Sequence, residues 1–113
     1  DLLQVVGVGD TCVQNASSLL FARRAGSDYL DDGDSGILTG GVDIIVTPPV
    51  SGNDVGTTNV TSIHPPEAGA AADRVLFDRT ADGAANPVPA YARMREFLGS
   101  WWAAAGGAPS VAN

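Results

Sequence analysis

The sequence contains no lysine, one cysteine and one histidine. A single Cys excludes an intramolecular disulfide and every multi-cysteine zinc framework. With one His beside it, a metal site would rest on carboxylates, and none is expected. No apolar run approaches the roughly 20 residues that cross a bilayer, so no membrane span is expected. No basic segment followed by an apolar core opens the chain, so no secretory signal is visible and a cytoplasmic location is expected. The chain begins at Asp1 without Met, which reads as a processed or excerpted start. Six arginines against thirteen carboxylates leave a net charge of −7. That balance argues against a nucleic-acid or anionic-membrane binder, because both need cationic surface.

What is present is globular in composition. Hydrophobic residues make up 44% and charged residues 17% of 113 positions, enough for a single domain or a fragment of a larger one. Leu2–Val8 is a short apolar, β-branched run and reads as a buried strand. Gly7 and Gly9 bracket its end, and Asp10 and Thr11 are both helix-capping types. Val13, Ala16 and Leu20 recur at helical spacing with Leu19 and Ala22 beside them. The spacing predicts a helix from Cys12 to Ala25, stopped at Gly26.

Tyr29–Asp34 reads as an acidic turn. Ile37–Leu38 leads through Gly40–Gly41 to Val42–Thr47, the best strand signal in the chain, which Pro48 and Pro49 end. Residues 50–72 are rich in Gly, Pro, Asn and Thr, with one short strand near Val60–Ile63. Arg74–Asp78 is a further strand candidate. Tyr91, Met94, Leu98, Trp101 and Ala105 form one apolar stripe at helical spacing, with Arg93, Arg95 and Glu96 off it. The order of elements predicts an α/β layer closed by a C-terminal amphipathic helix. The Trp101/Trp102 helix is the expected route to an oligomer.

Cys12 is the first chemical candidate. A thiol at a helix N-terminus meets the positive end of the dipole and unpaired N–H groups, the setting of a nucleophilic cysteine. Those N–H groups can also hold an oxyanion. A lone Cys is more often a small buried hydrophobe.

The surrounding motifs resemble the central segment of β-ketoacyl synthases, the thiolase-type condensing enzymes of fatty-acid and polyketide assembly. The residues that carry the resemblance are Asp10-Thr11-Cys12, Ser17-Ser18-Leu19, Arg23-Arg24 and Gly40-Gly41-Val42-Asp43. Phe77-Asp78, Ala81-Asp82-Gly83 and the closing helix from Glu96 to Ala108 continue it. It implies a layered strand–helix–strand unit of thiolase-like fold and an acyltransferase that loads an acyl group onto Cys12. It places Asn15 and Ser17 beside the acyl substrate. It implies no cofactor, and as partners an acyl carrier protein or a complementing synthase subunit. Counted back without gaps from Leu19, the nucleophile position falls on Asn15, so either Cys12 or Asn15 occupies it. The family's Gly-Glu-Gly turn is absent near Asn86-Pro87-Val88, and its two catalytic histidines belong beyond Asn113. His64 inherits neither role and reads as a loop residue. A non-catalytic homologue of the chain-length-factor kind therefore stands beside the active one.

Other classes fit parts of the same sequence. Gly7-x-Gly9 before a helix, with Asp31 or Asp32 after a short strand at Ser27–Leu30, imitates a dinucleotide-binding βαβ unit. The Gly/Pro/Thr-rich middle and the tryptophans also suit a structural subunit of a surface or virion assembly. Asn15-Ala16-Ser17 and Asn59-Val60-Thr61 match the glycosylation sequon. Asp28, Asp31, Asp32 and Asp34 suggest calcium, but they lack the terminal Glu of an EF-hand and read as a solvated loop.

Overall fold

A computed structural model describes residues 1–30, 44–66, 75, 79 and 88–112. Strand β1 spans Leu2–Gly7, helix α1 Asn15–Ala25 and strand β2 Asp28–Leu30. Strands β3 (Ile45–Val46), β4 (Val50–Ser51) and β5 (Asn59–His64) follow. Helix α2 covers Ala90–Ala103 and strand β6 Ser110–Val111. The acidic turn after Leu30, the Gly40-Gly41-Val42-Asp43 motif and the Phe77-Asp78 and Ala81-Asp82-Gly83 motifs lie outside the described residues. Of the strand expected at Arg74–Asp78, only Val75 is described, and it is buried.

Four strands make a parallel sheet in the order β1-β5-β2-β3. β5 pairs with β1 in register Leu2↔Asn59 to Gly7↔His64, and with β2 through Tyr29↔Thr61. Successive side chains of a strand point to opposite faces, so each strand feeds two cores. On one face Val6, Tyr29 and Ile63 pack with Leu19 and Ala22 of α1. On the other, Leu30 and Val60 pack with Phe97 of α2, Val50 and Val111. β4 and β6 pair antiparallel beside that second core. The molecule is thus a small α/β domain, helix–sheet–helix in section, as a parallel sheet covered on both faces requires.

The expected α/β layer is present, with three local corrections. The short strand expected near Val60–Ile63 is the six-residue β5, which lies inside the sheet between β1 and β2. Its polar residues are satisfied there. Ser27 Oγ lies 2.8 Å from Thr61 Oγ1, and Thr61 Oγ1 donates to Gln4 Oε1 at 3.1 Å. Second, α1 begins at Asn15 and not at Cys12, because Asp10 folds the intervening residues into a separate turn. Third, α2 turns a different face to the sheet. Its buried residues are Ala90, Arg93 and Phe97, whereas Leu98 and Trp101 of the apolar stripe are about half exposed. Ala105 lies beyond the helix at φ 47°. Gly26 ends α1 as expected, at φ 67°.

One turn carries strain. Asp54 and Thr57 exchange backbone hydrogen bonds at 2.9 Å around Val55 (φ 48°) and Gly56 (φ 88°). Two consecutive positive φ angles suit Asn-Gly, and a β-branched residue there is disfavoured by roughly 1–2 kcal/mol. Val55 is fully exposed, so no packing offsets this. Val55→Asn is therefore expected to raise the unfolding free energy by about 1 kcal/mol in a urea titration. A loss of stability would contradict the strain.

Candidate functional site

In parallel α/β sheets, chemistry gathers beyond the carboxyl ends of the strands. Here that edge holds the β1–α1 turn, residues 8–14, next to the end of β5. Val8 donates its N–H to the His64 carbonyl at 2.9 Å, which fixes the turn to β5. Gly9 takes φ 78°, a conformation glycine adopts without penalty. Asp10 then folds back: its Oδ1 accepts the N–H groups of Cys12 (2.7 Å) and Val13 (3.0 Å). Asn15, the first residue of α1, closes the turn from the other side. Its Oδ1 accepts the Gly9 N–H at 2.8 Å and its Nδ2 donates to the Gly7 carbonyl at 2.6 Å.

The three expected site residues therefore have different fates. Cys12 is exposed, three residues ahead of α1, and its own N–H is occupied by Asp10. It does not sit at the helix N-terminus. Asn15 is half-buried with its amide committed to the strand end. Ser17 is exposed, and its N–H bonds the Gln14 carbonyl. They share one turn but form no hydrogen-bonded constellation in which Cys12 meets a base.

Sequence reasoning missed a polar cluster behind this edge. His64 is not a loop residue: it ends β5 at 1% exposure. Its Nε2 lies 2.7 Å from Ser62 Oγ on the face that α2 covers. Arg93 of α2 is equally buried, with Nη1 3.8 Å from Glu96 Oε2. Burial first, and the Arg93 charge second, hold the His64 pKa down to about 4. The imidazole is therefore neutral near pH 7. His64, Ser62 and Arg93 are thus buried together where α2 packs on the sheet. The only sequence sign was the alternation Val60, Ser62, His64 on one strand face.

Several smaller readings close here. The dinucleotide unit requires neighbouring first and second strands, but β5 lies between β1 and β2. A pyrophosphate at the start of α1 would also meet the Asp10 carboxylate. Asn59 Nδ2 donates to Asp54 Oδ2 at 2.7 Å, so both sequon amides are engaged within the fold. Asp28 accepts from Asn53 Nδ2 at 2.8 Å, and the other acidic-loop residues lie outside the described region. Among the described residues no three His, Cys, Asp or Glu side chains come together as metal ligands. No described helix is long and apolar enough to cross a membrane.

Comparison with protein-family models, with curated proteins and with solved structures gave no match.

Proposed function

We propose that this chain is a non-catalytic segment of a β-ketoacyl synthase-like condensing layer, comparable to chain-length-factor subunits, and not its acyl-accepting half. The observation that carries this is the Asp10 carboxylate on the Cys12 and Val13 N–H groups. Acyl transfer to a thiol passes through a tetrahedral oxyanion, which needs free donors beside the sulfur. Here the nearest donors are taken, and a carboxylate in their place opposes the developing charge. The Asn15 amide, spent on Gly7 and Gly9, offers no replacement. The thiolase-like layer, the cytoplasmic setting and the partners belong to the same reading. Those partners are a complementing synthase subunit that supplies the histidines, and its acyl carrier protein.

Iodoacetamide kinetics test the first half. Cys12 is expected to alkylate within about threefold of an unstructured peptide of the same local sequence, and to take no acyl group from an acyl thioester by intact mass. Alkylation faster by about tenfold or more, or an acyl-Cys12 adduct, would show an active thiol and overturn the proposal. The second half is read from the native complex. A synthase subunit carrying two active-site histidines is expected to co-purify with the chain, and its absence removes the condensing-enzyme reading.

A further inference from the structure

One segment of the chain is seated in the fold as a bound peptide would be. Beyond α2, residues 108–112 lie extended in a groove between β4 and that helix. Pro109 and Val111 are fully buried, and Val111 joins the core of Leu30, Val50, Val60 and Phe97. The groove grips the main chain around these two side chains. Thr58 Oγ1 and Ser51 Oγ both donate to the Pro109 carbonyl, the latter at 3.1 Å. Ser100 Oγ accepts the Ser110 N–H at 2.8 Å and donates to the Ser110 carbonyl at 3.0 Å. Glu96 Oε1 accepts the Ala112 N–H at 3.1 Å. Val50↔Val111 and Ser51↔Ser110 add a short antiparallel ladder. Main-chain hydrogen bonds with apolar side chains two residues apart are the way a strand edge takes up an extended peptide.

Nothing in that grip requires the segment to come from the same chain. What makes it intramolecular is the turn at residues 105–107, which are exposed. Ala105 takes φ 47°, the left-handed conformation that usually falls to Gly after a helix, and Gly106 follows at φ 96°. An L side chain is disfavoured there, so the turn that folds the segment back carries strain. A short strained hinge next to a well-fitted segment favours exchange between copies. β6 pairs with β4 outside the four-stranded parallel sheet, so that sheet keeps its pairing when the segment leaves.

We propose that residues 108–112 exchange between two copies of the chain, with Pro109 and Val111 of each filling the groove of the other. The occupant is a second copy because its segment repeats every contact of the closed chain, and the exchange relieves the Ala105 turn in both. The proposal is independent of the chemistry at Cys12.

Two single-cysteine chains test it, each carrying Cys12→Ser. One also carries Ser51→Cys and the other Ser110→Cys, positions that face each other across the β4–β6 pair within disulfide reach. In closed monomers the two thiols lie on separate molecules, whereas in an exchanged dimer they meet. Equilibrated together under reducing conditions at on the order of 100 µM and then briefly oxidised, they should give a covalent heterodimer on a non-reducing gel. Either chain alone should stay monomeric. Ala105→Gly in both chains removes the strain from the closed turn and should lower the heterodimer yield by about fivefold or more. Sedimentation velocity reads the same exchange in the unsubstituted chain, as a dimer of twice 11.5 kDa that Ala105→Gly diminishes. A chain that stays monomeric at that concentration overturns the proposal. So does an equal covalent yield from either chain alone, or a dimer that Ala105→Gly leaves unchanged.

Discussion

Between pH 7 and pH 5 the unfolding free energy is expected to fall by about 2 kcal/mol, reaching about 3 kcal/mol by pH 4, through His64 alone. The sign follows from which state takes up the proton first. In the unfolded chain His64 titrates near its ordinary 6.5, whereas in the folded protein it does so at about 4. Between these values the unfolded state binds the proton and the folded state does not. Stability is therefore full above pH 6.5 and is lost as pH falls toward 4. The groups facing His64 among the described residues explain the direction. Burial removes the water an imidazolium needs, Arg93 adds a like charge, and Ser62 Oγ occupies Nε2. Glu96 Oε2 lies 3.8 Å from Arg93 Nη1. The chain has one His, so no second imidazole titrates in this window. Urea unfolding at half-unit pH steps reads the slope, and His64→Gln should flatten it between pH 7 and 5. A slope that persists in that variant would assign the effect to other groups.

How much of this architecture was legible in the sequence depends on where polarity sits. β1 and α1 could be read from local pattern, because Leu2–Gly7 is apolar and β-branched and Gly26 supplies the left-handed stop. β5 showed faintly because Thr61, Ser62 and His64 are polar, although both faces of the strand are enclosed. Among the described residues their hydroxyls and imidazole find partners on Gln4, Ser27 and one another, contacts that span up to 57 positions. Parallel pairing is non-local, so the insertion of β5 between β1 and β2 has no local signature. Asp10 and Thr11 are both of capping type ahead of a helix expected from Cys12, whereas the Asp10 carboxylate caps a turn of its own. A side chain that competes with the helix for the backbone donors is a known habit of Asp, and it shifts the helix start to Asn15.

The helix face that sequence pattern selected is the one whose loss should matter least. Phe97→Ala is expected to lower the unfolding free energy by about 3–5 kcal/mol, and Leu98→Ala by about 0.5 kcal/mol or less. Phe97 is buried among Leu30, Val50, Val60 and Val111, side chains from β2, β4, β5 and β6, so it joins both sheets to α2. Truncating it leaves a cavity that strands held in two sheets cannot close, and the cavity adds to the lost transfer energy. Leu98 points half into water on the outer face. The apolar stripe through Leu98 and Trp101 outweighed the true inner face because that face contains Arg93, which hydropathy counts as solvent-facing. Urea midpoints with an unchanged m value give both numbers. Since a loss of this size approaches the whole stability of a small domain, Phe97→Leu supplies a folded comparison, expected to cost about 1 kcal/mol. If Leu98→Ala proves as damaging as Phe97→Ala, α2 is rotated about its axis. The burial of Arg93 and the outward-facing tryptophans would then fall with it.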